Sequence, residues 1–213
     1  MEKTLISRST QAQERIPAPG PLLLVEAFVN TLDVEGEQDT LSDPDALRDW
    51  LLENGLVERG TYVGESDLRL ALETREALRA LASANNRSQV DPEAIETLNR
   101  VSGRIGLAVR FRADGSGELV PRVPDAPGGL ARIFGVVYTA MAGGTWARMK
   151  ACARASCRRV FYDHSKNRSS AWCRMTVCGN REKATAYRRR RRETAKTGAP
   201  GDGPITPWPR GVV

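Results

Sequence analysis

Cys152, Cys157, Cys173 and Cys178 are the only cysteines of a 213-residue chain, and they form two pairs of equal spacing, C-x4-C, fifteen residues, C-x4-C. This feature restricts the fold of the second half more than any other. The opening stretch, MEKTLISRSTQAQERIPAPG, holds Glu2 and Glu14 and has no apolar core of the kind a secretory signal needs. A cytoplasmic location is therefore the expectation, and in a reducing compartment paired cysteines point to metal rather than disulfides. Two short loops that each present two sulfurs suit zinc, which takes four thiolates in a tetrahedron. Four free buried thiols, or two disulfides, remain the alternative. A site closed by four thiolates leaves no position for a catalytic water, so the expected ion is one structural Zn2+. It would also supply stability to a segment poor in aliphatic residues. No C-x-x-C is present to suggest redox chemistry. The only histidine, His164, could replace a cysteine as ligand, but is expected to be exposed or hydrogen-bonded.

Charge divides the chain in the same place. Residues 145–192 carry fifteen lysines and arginines against two acids, Asp163 and Glu182, or +13. The remainder carries 17 basic and 24 acidic residues, or −7, within a net charge of +6. A basic module on an acidic body implies a polyanionic partner, and nucleic acid precedes membrane because no apolar face accompanies the charge. No apolar run approaches the roughly 20 residues that span a bilayer.

The front of the chain reads as helices. Leu24, Val25, Phe28 and Leu32 form one stripe over 22–32. In SDPDALRDWLLENG, Ser42 or Asp43 caps a helix that starts with Pro44, buries Leu47, Trp50 and Leu51, and stops at Gly55. Residues 65–86 place Leu68, Ala71, Leu72, Leu78, Leu81 and Ala82 on one face with the charges opposite. An Asp-Pro start recurs at 91, with Ile95, Leu98 and Val101 or Ser102 inward. The period then becomes two: RIGLAVRF, an Asp114-Gly115 turn and GELVPRV predict a short hairpin near 104–124. A last helix over 128–144 turns Leu130, Ile133, Phe134, Val137, Tyr138 and Met141 to one side, and Gly143-Gly144 marks the boundary. The expected class is mainly α with a small β-hairpin (α+β). It divides into a disordered leader (1–20), a helical domain (21–144), a four-cysteine zinc module with a basic helix (145–195) and a disordered Pro/Gly-rich tail (196–213). The helical domain has no histidine, cysteine or Gly-rich phosphate loop, so no enzyme is expected. Glu26, Asn30, Thr31 and Asp33 cluster at the end of the first helix, as pocket lining or as a polar face and cap.

The stretch GNREKATAYRRRRRETAK is helix-compatible, and a helix starting near Cys178 would be held by the metal at its first turn. Arg188, Arg189, Arg190, Arg191 and Arg192 wrap all sides of it, because each residue turns about 100°. Some would reach phosphates while others stay solvated. Arg181, Lys183 and Tyr187 lie nearer the metal and are better placed for base edges. Lys166, Arg168 and Arg174 add cations within the module. Asn180 either caps the helix or contacts a base, and Arg181 either reads a base or pairs with Asp163. Phe161, Trp172 and Met175 are expected as the small core of the module.

Cys178-Gly179-Asn180-Arg181 resembles the signature of the CGNR zinc-finger proteins of bacteria, and Phe161, Asp163, Ser165, Asn167, Trp172, Cys173, Met175 and Lys183 extend the likeness. LVEAFVNTLD and LRDWLLENGL are similar to the helical ABATE domain that precedes this finger, so the resemblance covers residues 20–192. It implies a stress-induced transcription regulator that binds DNA. The expected partner is double-stranded DNA, with RNA as the alternative, and a homodimer would lengthen the few base pairs one finger reads. A zinc-stabilised protein-interaction module without nucleic-acid binding is the other reading.

Overall fold

The computed structural model describes residues 15–197, with side chains to Thr194, and the disorder expected of residues 1–14 and 198–213 lies outside the described residues. Helices α1 (Leu22–Val29), α2 (Pro44–Glu53), α3 (Glu65–Ala84), α4 (Pro92–Arg104) and α5 (Ala126–Ala142) form the body. Helix α6 (Asn180–Thr197) follows the cysteine module. Three antiparallel pairs complete the described residues: β1 (Leu32–Asp33) with β2 (Gln38–Asp39), β3 (Leu107–Phe111) with β4 (Gly117–Pro121), and β5 (Met149–Ala151) with β6 (Val160–Tyr162). The class is mainly α with small β-hairpins. Only the β3–β4 hairpin is legible as alternation; the other two strand pairs are too short to show a period.

Local chemistry sets the helix starts. Asp43 accepts from the Ala46 amide at 2.8 Å ahead of Pro44, and Asp91 accepts from the Glu93 amide at 3.0 Å ahead of Pro92. Helix α5 begins two residues earlier than its apolar stripe because Asp125 accepts from the Gly128 amide at 2.7 Å. Helix α1 stops at Val29 instead of continuing to Leu32: Thr31 returns its hydroxyl to the Phe28 carbonyl at 2.8 Å, and Leu32 enters β1 opposite Asp39.

Helix α3 runs through the centre and touches α1, α2, α4, α5 and β5. Val25, Phe28, Leu51, Ala71, Leu78, Leu130 and Ile133 are core residues. Trp146, Met149, Ala151, Val160 and Tyr162, which follow the Gly143-Gly144 turn, belong to the same core. Within residues 15–20, assigned by composition to a leader, Ala18 is buried and donates its amide to Glu26 at 2.6 Å.

Two features of α3 and α5 depart from the expected burial. Arg75 and Arg79, expected on the solvent face of α3, are 4% and 0% exposed. Arg75 donates to both oxygens of Asp39 at 2.6 and 2.8 Å and to the Thr31 hydroxyl at 3.2 Å, which pins the β1–β2 hairpin to α3. On α5, Tyr138 and Met141 are exposed, although β4 approaches the helix at Gly135 through Leu119.

Asp39 makes this part of the fold acid-sensitive. Burial pushes its pKa up, but hydrogen bonds and charge from Arg75, with the Leu41 amide, outweigh burial and hold it below the ordinary value. A carboxylate with a depressed folded pKa contributes stability that is complete above the unfolded pKa and is lost as pH falls through the folded one. Asp39→Asn is expected to cost about 2–3 kcal/mol at pH 7, since it removes the bidentate partner of a buried guanidinium and leaves Arg75 only Glu76, 3.1 Å away, as counter-charge. It should also flatten the loss of urea stability below pH 4. An unchanged acid limb would show that the pair does not carry it.

Candidate metal centre and basic helix

The β5–β6 hairpin presents the first cysteine pair. Cys152 follows β5 and gives its amide to the Arg159 carbonyl at 2.9 Å, while Cys157 closes a tight turn with its amide on the Arg154 carbonyl at 2.9 Å. In the second pair Cys173 precedes a π-type turn, Met175–Gly179, that contains Cys178, and the Cys178 and Gly179 amides share the Arg174 carbonyl at 2.9 and 3.2 Å. Gly179 lets the Met175 side chain lie against the turn. A Cβ there would overlap the Met175 sulfur and meet the Trp172 ring at 3.4 Å.

All four sulfurs lie within 4.8 Å of one another and all four cysteines are buried and free. Cys157 and Cys173 approach to 3.7 Å, Cys173 and Cys178 to 3.6 Å. These separations are far from the roughly 2.05 Å of a disulfide. They match the edge of about 3.8 Å in a tetrahedron with metal–sulfur bonds near 2.3 Å. The electrostatics agree. Hydrogen bonds from the Cys157 and Cys173 thiols, against burial, lower the Cys152 pKa to about 4. Cys173, facing the Cys152 and Cys157 sulfurs in a buried site, is pushed far up. A dication at the centre would favour the thiolate form of its ligands. The donor set is closed, and the cofactor is one structural zinc ion.

Side chains of the helical body hold this module in place. Asn30 bonds both backbone groups of Val160, donating to the carbonyl at 2.8 Å and accepting from the amide at 2.9 Å. Asn86 donates to the Ala151 and Ala171 carbonyls at 2.8 and 2.7 Å, and Arg79 to the Arg158 carbonyl at 3.1 Å. Asp33 accepts from the Glu35 and Gly36 amides. The Glu26, Asn30, Thr31 and Asp33 cluster therefore serves joints and turns within the protein. Arg15 stacks 4.0 Å over the Phe161 ring and donates to the Trp172 and Cys173 carbonyls at 2.9 and 2.8 Å. Phe161 is buried among the cysteines and Trp172 and Val177 pack on them, but Met175, expected in this core, is exposed.

Asp163 and Lys150 organise the loop between the cysteine pairs. The Lys150 ammonium bonds Asp163 at 2.8 Å and the Arg168 and Ser170 carbonyls at 2.6 and 3.3 Å. Burial raises the Asp163 pKa, and Lys150 with the Ser165 and Ser170 donors more than reverses it, so the carboxylate stays ionised. Arg181 consequently has no access to Asp163. Lys166 and Arg168 project from this loop into solvent, and Arg174 is half-buried. His164 lies outside the cluster, with Nε2 3.0 Å from the Pro17 carbonyl.

Helix α6 leaves the metal centre with little support from the body. Among its described side chains none is buried; Glu182 and Ala186 are intermediate and the others exposed. Asn180 does not cap it but donates back to the Thr176 carbonyl at 3.1 Å. Lys183, Tyr187 and Arg188 through Arg192 are all exposed. Arg188 bonds the Ala184 carbonyl at 3.3 Å, Arg191 lies 5.9 Å from the Tyr187 ring, and Arg189 pairs with Glu193 at 3.8 Å. Arg181, at the first turn, meets Glu35 of the β1–β2 hairpin. Sequence reasoning missed Arg15, Glu35, Asn86 and Arg79, whose partners are remote. Arg75 and Arg79 alone carried a signal, since they occupy stripe positions after Leu68, Ala71 and Leu72.

Comparison with known families agrees with the geometry. Residues 23–156 match the ABATE family, described as a "Putative stress-induced transcription regulator", and residues 148–191 match the CGNR zinc finger. No curated protein matches the chain. The two matched regions overlap on 148–156, which contains β5 and Cys152. The same residues join the helical core to the metal cluster in the structure. With more than half its length covered by the first model and its four thiolates by the second, the chain belongs to the ABATE family of regulator-like proteins that end in a CGNR zinc finger.

Proposed function

We propose that this protein is a non-enzymatic, sequence-specific regulator of transcription that binds double-stranded DNA through α6 and the cations around the zinc. The observation that carries this reading is α6 itself. It is anchored at the metal, exposed along its described length, and bears Arg181, Lys183 and five consecutive arginines. A helix polar on every side has no core to join, and five adjacent cations repel one another until a polyanion neutralises them. Lys166 and Arg168 add exposed charge from the finger. Among the described residues no helix is long and apolar enough to cross a membrane. The protein acts on the nucleoid in the cytoplasm.

The helical body receives the signal or forms a dimer. Its most suitable feature is an open, mainly apolar groove of about 840 Å³ between α5 and the β3–β4 hairpin, lined by Val109, Leu119, Val136 and Tyr138 among others.

Titration of the zinc-loaded protein with duplex DNA is expected to show a slope of log K against log salt of about −5 to −7, for six to eight neutralised phosphates. Chelation of zinc should abolish the tight component. Matched RNA is the competitor that decides between the two nucleic acids, because only RNA offers a 2′-hydroxyl. Salt-independent binding to a protein partner, with no DNA binding, would replace this reading with that of an interaction module.

A further inference from the structure

Glu35 connects the helical body to the region proposed to meet DNA. One oxygen, Oε1, accepts from Arg181 at 2.6 Å and from Arg154 at 2.8 Å. Arg154 comes from the loop between Cys152 and Cys157, and Arg181 from the first turn of α6 after Cys178. Both arginines therefore belong to backbone segments that the cysteine cluster brings together, and neither belongs to the element that carries Glu35. That element is also held. Asp33 accepts from the Glu35 and Gly36 amides at 3.1 and 3.2 Å, and Asp39 is clamped by Arg75.

We infer that Arg154 and Arg181 form a phosphate-binding pair, and that Glu35 occupies it until a nucleic-acid phosphate displaces the carboxylate. Two guanidiniums converging on one anionic oxygen is the arrangement by which arginines hold a phosphate. The site is accessible: the side chains of Arg181, Glu35 and Arg154 are 55%, 39% and 17% exposed. Ion pairs this open to water are weak and screened by salt, so a phosphodiester backbone presenting many charges competes with Glu35 effectively. Glu182 is a second carboxylate near the pair, 4.0 Å from Arg154, and it moves with α6. Glu35 is the one that the body contributes. Any change that shifts the β1–β2 hairpin therefore alters the availability of Arg181. This rests on the DNA-binding reading for the source of the phosphate, but not for the existence of the pair.

The test uses the full zinc-loaded chain and two probes. Fluorescence anisotropy with duplex DNA at low salt should show Glu35→Gln binding about fivefold tighter than the parent, the size expected for release of exposed ion pairs. Glu37→Gln, on the same turn, removes the same charge without touching the pair, and should give a gain well under twofold. Adding Arg181→Gln to Glu35→Gln should cancel the gain. Inorganic pyrophosphate, followed through the side-chain NMR resonances of Arg154 and Arg181, should perturb Glu35→Gln at several-fold lower concentration than the parent. Equal gains in Glu35→Gln and Glu37→Gln would reduce the effect to general charge and overturn the inference. So would an unchanged pyrophosphate response. If neither the parent nor Glu35→Gln binds duplex DNA, the DNA reading fails while the pyrophosphate arm still decides the pair. Zinc content and melting temperature of each variant confirm that Glu35→Ala, a second truncation, and Glu35→Gln are compared as folded proteins.

Discussion

Cys157→Ser is expected to reduce the bound zinc from one ion per chain to less than about a tenth, and to unfold residues 152–179 without unfolding the helical body. The neutral serine hydroxyl replaces a thiolate at a site whose four sulfurs lie within 4.8 Å of one another. The remaining charge no longer matches the dication. Zinc binding in finger modules couples on the order of 10 kcal/mol to folding, and here it is the main force holding the two cysteine loops together. Besides the four cysteines, the apolar cluster around the metal centre contains Phe161, with partial cover from Trp172 and Val177, too little apolar surface to hold the loops alone. The helical body has its own core, and α1 through α5 should keep their circular-dichroism signal. Strands β5 and β6 contribute Met149, Ala151, Val160 and Tyr162 to that core, so the body should melt several degrees lower. Elemental analysis and hydrogen exchange over 152–179 measure both effects. Full zinc occupancy with native protection in Cys157→Ser would refute the four-thiolate assignment. Chelation of the parent protein should reproduce the same partial unfolding.

Arg79→Met is the second large effect, expected to cost about 3–5 kcal/mol although the position was assigned to a solvent face by sequence pattern. The guanidinium is fully buried, and it donates to the Val29 carbonyl at 2.6 Å, the Leu32 carbonyl at 3.3 Å and the Arg158 carbonyl at 3.1 Å. Glu76 supplies the counter-charge at 3.1 Å. Burial lowers the Arg79 pKa, with Glu76 opposing, and the ordinary arginine value is high enough that the charge remains. Methionine fills similar volume but leaves buried carbonyls without a donor, and each such group costs about 1–3 kcal/mol. For a domain of this size the melting temperature should fall by about 10 °C. One of the lost partners lies beside Cys157, so zinc should also be removed at lower chelator concentration than in the parent. Arg79→Lys keeps the charge but reaches fewer carbonyls, and should recover only part of the stability. A change of less than 2–3 °C in Arg79→Met would mean that water replaces the lost donors.

The two predictions differ in what reveals them. The cysteine pairs were visible because zinc ligation depends on residue type and short spacing, both written locally. Helix starts at Asp43 and Asp91 were visible for the same reason: the cap and the amide it satisfies are two or three residues apart. The +13 segment is likewise a count over neighbours. Helical periodicity was a weaker guide. It placed Leu47, Leu51, Leu130 and Ile133 correctly in the core, but it put Tyr138 and Met141 there too. A stripe says which residues share a side of a helix, and not how far the neighbouring hairpin extends over it.

The sequence by itself pointed to the metal and its ligands and determined the order of helices and the basic run, since each follows from contacts or charge within a few residues. Tertiary structure alone decided the joints: Arg79 on Arg158, Asn30 on Val160, Arg15 over Phe161, and Glu35 on Arg181 across 146 residues. A buried arginine and a solvated one are the same letter. Which of them a chain contains depends on the carbonyls and carboxylates that folding brings to it, and those arrive from distant segments whose approach no local pattern records.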